Sequence, residues 1–336
     1  MKIPPSDDRS HKILHWLTHD LELKITQFEP ASSDASFRRY FRVSHDNRCF
    51  IVMDAPPEKE DTQPFIRVAE LFSQAEANVP DIIAKDIQQG FLLLEDFGAI
   101  NLFDRLNDAS VDILYRCALS ALVSLQKNVD PTNCFLPHYT PELLQTELDL
   151  FPDWFLQQQC HLSLTKEQIA LLEASNQFLI QSACQQNQVC VHRDFHSRNL
   201  MHIDDNNLGI IDFQDAVIGP ITYDAVSLLR DCYIEWPEAK INHLLNDYFL
   251  QCQAAGLVST DYASFKRDFD LMGIQRHLKV LGIFSRLNIR DGKSGYLADI
   301  PLTLNYVLKV SQLYPELQEF HQFLSNIVLP ASEASL

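Results

Sequence analysis

The chain has 336 residues, and 27 Lys and Arg against 45 Asp and Glu give a formal charge of −18 with histidine neutral. That balance excludes a generic nucleic-acid binder, because a phosphate backbone calls for a clustered basic surface. With 46% hydrophobic and 21% charged residues, the chain can build one large core or two moderate ones, which excludes disorder as its main theme.

Acids and prolines break residues 1–24 before an apolar run forms, so no signal peptide is expected. Apolar stretches such as 91–94 and 208–211 fall far short of the roughly 18–20 residues of a membrane span. Residues 37–53 read FRRYFRVSHDNRCFIVM, two β-branched and aromatic runs around the polar segment 44–47, and predict a hairpin. Pro64 suits a first helical turn, and Phe65, Val68, Ala69 and Phe72 recur at helical spacing. After Pro80, short strands are predicted at 82–87 and 91–94. Beyond Gly98 the pattern turns helical, over 102–127, 141–157, 166–186, 239–254, 264–288 and 303–325, with one β-rich island at 189–213. This shift predicts two lobes, 1–97 and 98–336, with a hinge near 95–98. Eight scattered cysteines with no CxxC pair fit the reducing cytoplasm, with neither a zinc ribbon nor a disulfide framework expected.

The island reads VCVHRDFHSRNLMHIDDNNLGIIDFQD over 189–215. One apolar strand ends at His192, Arg193 and Asp194, a polar loop runs to Asn199, and a second apolar run ends at Asp212. Phosphoryl transfer from ATP needs such a trio. One carboxylate orients or deprotonates the attacking hydroxyl, while an amide oxygen and a second carboxylate hold Mg²⁺ against the triphosphate. Asp194 fits the first role, and Asn199 with Asp212 the second. The bland alternative, that His192 and Asp194 merely close a loop, leaves the offset of Asn199 and the position of Asp212 unexplained.

This H-x-D-x-x-x-x-N loop with its later aspartate resembles the protein-kinase-like superfamily. The resemblance implies an α+β, bilobal protein-kinase-like fold, with a small β-rich N-lobe that binds nucleotide and a larger, mainly helical C-lobe for catalysis and substrate. The first glycine is Gly90, so a protein kinase's early Gly-rich loop is missing, and the run from Gln214 to Tyr223 and Asp224 leaves no room for an activation segment. The compact IIDFQDA…GP…YD run instead looks like the aminoglycoside phosphotransferase and choline kinase branch. That likeness gives Asp224 a structural role bracing the catalytic loop, with His192 structural beside it.

More closely, SFRRYFRV (36–43), VMDAPPEKED (52–61), FPDWF (151–155), HRDFHSRN (192–199) and QRHLKVLG (275–282) resemble the bacterial cell-wall amino-sugar kinases. Those enzymes phosphorylate the anomeric hydroxyl of N-acetylmuramate and N-acetylglucosamine in peptidoglycan recycling. The resemblance runs from about residue 30 to 290. It implies ATP and Mg²⁺ as cofactors, a small-molecule amino sugar as substrate, a cytoplasmic location, and no nucleic-acid, membrane or obligate protein partner. Two rivals stand beside it: phosphotransfer to an aminoglycoside, choline or another small alcohol, and a nucleotide-binding pseudokinase.

The pseudokinase alternative arises because residues 50–54, Phe-Ile-Val-Met-Asp, lack the third-strand lysine that meets the α- and β-phosphates. Arg38, Arg39, Arg42 and Lys59 are the candidate replacements. Strand alternation puts Arg38 and Arg42 on one face and Arg39 on the other, with an exposed strand charge as the plain alternative. Backbone N–H groups of the turn at 32–36, with Ser33 and Ser36, are expected to cover phosphate. Glu70 stands where the lysine's partner usually lies, or is a solvated residue. The hinge stretch 93–97, with Glu95 and Phe97, is expected to present backbone groups to adenine, its apolar part being equally readable as a core strand. For the acceptor, the candidates are Arg198, Gln214, Asp215, Glu147, Trp154, Arg276 and His277. Trp154 is a sugar platform or a core residue. Leu271, Ile274, Leu278 and Leu281 form one apolar stripe, which puts Arg276 on the opposite face, in solvent or toward substrate. A lactyl carboxylate would call for Arg276, His277 or Lys279.

Overall fold

A computed structural model describes residues 7–33 and 37–336. In chain order it contains α1 (Asp8–His15), β1 (Ile25–Ser33), β2 (Arg39–His45), β3 (Arg48–Asp54), α2 (Gln63–Gln74), β4 (Ile82–Asp86) and β5 (Phe91–Glu95). Then follow α3 (Val111–Asn128), α4 (Pro141–Leu148), α5 (Lys166–Gln185), β6 (Gln188–Val191), β7 (Leu200–Asp204), β8 (Asn207–Ile210), β9 (Val217–Pro220) and α6 (Tyr223–Leu229). The rest is helical: α7 (Glu238–Ala254), α8 (Tyr262–Asp291), α9 (Ile300–Ser311), α10 (Gln318–Phe323) and α11 (Leu329–Ser335). The described residues pack as two compact units, one reaching to Ser110 and including Arg198–Asp215, the other made of Val111–Ser197 and Ala216–Leu336. None of their helices is long and apolar enough to cross a membrane.

In the first unit an antiparallel sheet runs in the order β1-β2-β3-β5-β4. The β2–β3 hairpin turns on Asp46 and Asn47, both at positive φ (47° and 63°), as a two-residue turn matched to strand twist requires. One face of the sheet, with Phe41, Val43, Val52, Phe91 and Leu93, buries against Ile13 of α1 and Trp16 and Leu17 of the π-helical turn after it. Each such fully buried side chain stabilises the fold by about 1.5–3 kcal/mol. Asp54 ends β3 inside this layer and is held by two guanidinium groups, Arg9 Nε (2.7 Å) and Arg39 Nε (2.9 Å). The buried face of α2 carries Phe65, Val68, Ala69 and Phe72, as its spacing predicts, and the rings of Phe65 and Phe72 pack on Phe213 at 4.9 and 5.7 Å.

The second unit is organised around α8, a 30-residue helix that starts on the Asp261 cap and stops at Gly292 in the left-handed region (φ 67°). Every residue from 269 to 282 is buried. The single apolar stripe read from the sequence therefore underestimates this helix, because α5, α6, α9 and the helical turn at Phe151–Gln159 cover it from several sides. The helix expected over 141–157 divides: α4 ends at Leu148, and Phe151–Gln159 continues as a π-helix, since Pro152 lacks the N–H for the regular ladder. Pro315 likewise ends the predicted 303–325 segment as one helix.

Candidate active site

A cavity of about 400 Å³ opens in the first unit. Tyr40, Ile51, Leu94, Phe65, Met201 and Ile211 supply apolar walls, residues 95–99 form one edge, and Asn199 and Asp212 stand at its polar side. Nδ2 of Asn199 donates to Oδ2 of Asp212 at 3.3 Å, and Nε2 of Gln214 donates to Oδ1 of Asp212 at 3.1 Å. Asp212 has φ 65°, an uncommon conformation for a non-glycine residue that costs on the order of 1–3 kcal/mol and persists where surroundings over-determine it. Here the amides of Asn199 and Gln214 and the bond from Ile211 N–H to the Asn199 carbonyl (3.1 Å) do so.

This set suits a nucleotide with a divalent ion: apolar walls for a base, a backbone edge to read it, and hard oxygen donors beyond. Among the described residues no group of three or more His, Cys, Asp or Glu is arranged to hold a metal. An ion held by Asn199 and Asp212 would complete its shell with phosphate and water oxygens, as Mg²⁺ commonly does.

The edge at 95–99 is built by a residue expected elsewhere. From the sequence, Arg42 is a candidate phosphate ligand. Its guanidinium instead forks onto the Asp96 carboxylate (2.6 and 3.0 Å) and donates to the Gly98 carbonyl (2.7 Å), while Asp96 accepts the Gly98 N–H (2.9 Å). The correction has a simple cause: a bidentate carboxylate 54 positions away is a better partner than solvent, and neighbouring sequence gives no sign of it. Glu95 sits exposed at the end of β5, with its N–H bonded to the Asp81 carbonyl (2.9 Å). Phe97 lies so close to β8 that a Cβ at Gly209 would come within 2.2 Å of its ring, which explains the glycine there.

Arg39 turns to the other face of β2, as alternation predicts, and pairs with Asp54 and Asp7. Arg38, half-buried, precedes β2 with the parity of Tyr40 and Arg42, which line the cavity. Lys59 is exposed with its ammonium 4.9 Å from the Phe37 ring centroid, and Glu70 is exposed on α2. Ser36 lies outside the described residues, and Ser33 is described only as the backbone end of β1. Of the remaining candidates in this unit, Arg198 is exposed with its guanidinium over the Phe103 ring, and Asp215 is exposed beside Gln214 (3.3 Å).

In the second unit β6 delivers the chain to His192, whose N–H, with that of Arg193, is received by the buried Asp224 carboxylate (2.6 and 3.0 Å). Burial raises the pKa of Asp224 to about 7, opposed by those two N–H bonds. Asp194 follows, its N–H on Nδ1 of His192 (3.2 Å). Burial pushes the Asp194 carboxyl up, but Lys279, Arg276, His196 and His192 together outweigh it and hold the group at about 2. The carboxylate is therefore ionised at any physiological pH.

Arg193 has φ 77° and is fixed from the far side by Glu147. Glu147 was expected to touch the acceptor. It is buried, and Arg193, Lys279 (2.8 Å), Tyr139 and Gln275 (3.4 Å) surround its carboxylate, so it serves the loop and not a ligand. Burial opposes its ionisation, but the two cations lower its pKa. Arg276 is not on a solvent face of α8: it is 4% exposed, its guanidinium carbon 5.7 Å from the Tyr223 ring centroid, and its charge acts on Asp194. His277 cannot meet a carboxylate, because Nε2 is engaged with the Arg230 carbonyl (2.9 Å), the ring stacks on Tyr306, and burial lowers its pKa to about 3. Trp154 is half-buried while its neighbour Phe155 fills the core. Sequence reasoning overlooked Arg193 and Asp96 as organisers, though both lie within segments it had singled out.

A family model described as "Phosphotransferase enzyme family" matches residues 27–262. A Pseudomonas putida protein named N-acetylmuramate/N-acetylglucosamine kinase is 41% identical over 336 residues, covering 97% of this chain and 98% of that protein. A Pseudomonas aeruginosa protein of the same name is 43% identical over 307 residues, covering 91% and 90%. Among solved structures, ADP-bound aminoglycoside phosphotransferase APH(2'')-Ib aligns with TM-score 0.60 at 16% identity (89% of this chain, 98% of that one). Choline kinase LicA from Streptococcus pneumoniae aligns with TM-score 0.62 at 12% identity (89% and 99%). These two likenesses bear out the expected α+β protein-kinase-like fold.

Proposed function

The chain belongs to the phosphotransferase enzyme family, and from that premise we propose that it is an ATP- and Mg²⁺-dependent kinase of N-acetylmuramate and N-acetylglucosamine, acting on the anomeric hydroxyl. The observation that carries this reading is the similarity of 39–43% over nearly the whole chain to proteins named for those two sugars. The geometry supports the chemistry. Asp194, held ionised by surrounding cations, orients the sugar hydroxyl and takes its proton. The anomeric hydroxyl is more acidic than an ordinary alcohol, which lowers the demand on the base.

Asn199 and Asp212 would hold Mg²⁺, and Mg²⁺-ATP supplies the phosphoryl group with part of its charge neutralised. Backbone groups at Glu95 and Phe97, stiffened by Arg42 and Asp96, face the base. Arg38, with Ser33 and Ser36, serves the phosphates. In this division of labour residues 1–97 bind nucleotide together with the segment that carries Asn199 and Asp212, and the remainder of 98–336 carries catalysis and acceptor. We assign Trp154 as a sugar platform and Arg198 and Asp215 to sugar hydroxyls, while the buried Arg276 serves Asp194. The setting is the cytoplasm, where ATP is supplied and scattered thiols stay reduced.

The aminoglycoside and choline readings draw only on fold likeness at 12–16% identity. Against a pseudokinase stands the presence of Asp194, Asn199 and Asp212 together. ADP release from Mg²⁺-ATP across N-acetylmuramate, N-acetylglucosamine, kanamycin and choline tests the reading. Release with the two sugars is expected, and Asp194→Asn should lose about 10²–10⁴-fold in turnover while keeping nucleotide affinity. Turnover of kanamycin or choline alone, or full activity in the Asp194→Asn protein, contradicts it.

A further inference from the structure

We propose that Asp231 is a positioning residue for the reaction, holding the far end of the catalytic loop as Asp224 holds the near end. The proposal rests on the reading of Asp194 as the base.

All seven residues of α6 are buried, with Asp224 in its first turn and Asp231 two residues past its end. Seven residues of helix span about 10 Å. Asp224 receives the N–H groups of His192 and Arg193 at one end of this span. At the other, Oδ2 of Asp231 accepts both the N–H (3.0 Å) and the hydroxyl (2.5 Å) of Ser197, and Oδ1 accepts the Tyr233 N–H (3.1 Å). Ser197 and Asp231 are 0% and 1% exposed, so water cannot substitute for either partner. Ser197 lies three residues after Asp194 and two before Asn199. The loop that presents the base is thus fastened at both ends to one short buried segment, α6 and the two residues that follow it.

Only a carboxylate fits at 231. Donors face both of its oxygens, so an amide would turn its NH₂ toward one of them and leave a buried N–H without an acceptor. The Arg276 guanidinium, which also acts on Asp194, feels the Asp231 charge as well.

The test is steady-state kinetics on the full chain with Mg²⁺-ATP and N-acetylmuramate. Asp231→Asn should lower kcat about 10–100-fold, the range for losing a buried hydrogen bond to a charged group, while the KM for ATP stays within about twofold. Ser197→Ala, which keeps the backbone N–H bond and is the gentler change, should lower kcat less. Because both act through one contact, Ser197→Ala should cost nothing further in the Asp231→Asn protein. Near-normal kcat in a folded Asp231→Asn protein, a KM for ATP that rises with the fall in kcat, or fully additive losses would overturn the clamp. If Asp231→Asn does not fold, kcat of Ser197→Ala decides alone, and an unchanged value refutes the proposal. Asp194→Asn run in parallel separates the two claims: its retention of activity would remove the base itself, whereas its loss beside a fully active Asp231→Asn protein removes only the clamp.

Discussion

A carboxylate in a protein interior normally holds its proton, and Asp194 does not because four groups placed by two segments offset its burial. Lys279 and Arg276 reach it from α8, and His192 and His196 flank it in the loop. Since the pKa is depressed, the Asp194 carboxylate, the base of the proposed reaction, is ionised above about 2 and is lost only as the pH falls toward that value. Lys279→Met removes the largest of the four opposing influences and leaves the burial, so the acid limb of kcat/KM should move upward in pH, with Glu147 still held by Arg193 and Tyr139. A pH–rate profile whose acid limb does not move would show that Lys279 serves only the Glu147 contact. At this scale the motif is legible: type and spacing single out His192, Asp194, Asn199, Asp212 and Asp224, and the structure joins Asp224 to the His192 and Arg193 N–H groups and Asn199 to Asp212. Their keepers were not, because Arg42 with Asp96 and Glu147 with Arg193 are pairs formed across 54 and 46 positions, which no local pattern records.

At the scale of elements, period and punctuation explain most of what forms. The β2–β3 hairpin, α2 and α5 follow their patterns closely, and the proline-broken helices depart from theirs where a missing N–H interrupts the ladder. The helix α8 is the instructive failure. A 3.6-residue stripe identifies one covered face, whereas a helix wrapped by several others also buries its polar residues, here Gln275, Arg276, His277 and Lys279, of which Arg276 and Lys279 act on Asp194. Gly282 marks how tightly the helix is held, because a Cβ there would come within 2.4 Å of the Leu150 carbonyl carbon and oxygen. Helix propensity alone would make Gly282→Ala stabilising by about 1 kcal/mol. Overpacking against backbone wins, and we expect a net loss of about 1–3 kcal/mol, read as a lower urea midpoint. An unchanged or higher midpoint would mean that the helical turn at Phe151–Gln159 yields freely.

At the scale of the whole molecule, the charge of −18 says little about the acceptor, because it describes the full surface, while Asp194 answers to a handful of buried cations. The chain instead divides its chemistry. The unit with the five-stranded sheet carries the cavity, Asn199 and Asp212, and the helical unit carries Asp194 with its clamps. The chain passes between them at residues 197–198 and 215–216, two residues before Asn199 and three after Asp212 in sequence. The most direct test is the position of the phosphate in the product. Phosphorus NMR of the mixture formed from Mg²⁺-ATP and N-acetylmuramate should show a phosphate coupled to the anomeric proton. A phosphate on the C6 hydroxyl, or no sugar phosphate while another alcohol is turned over, would contradict the account.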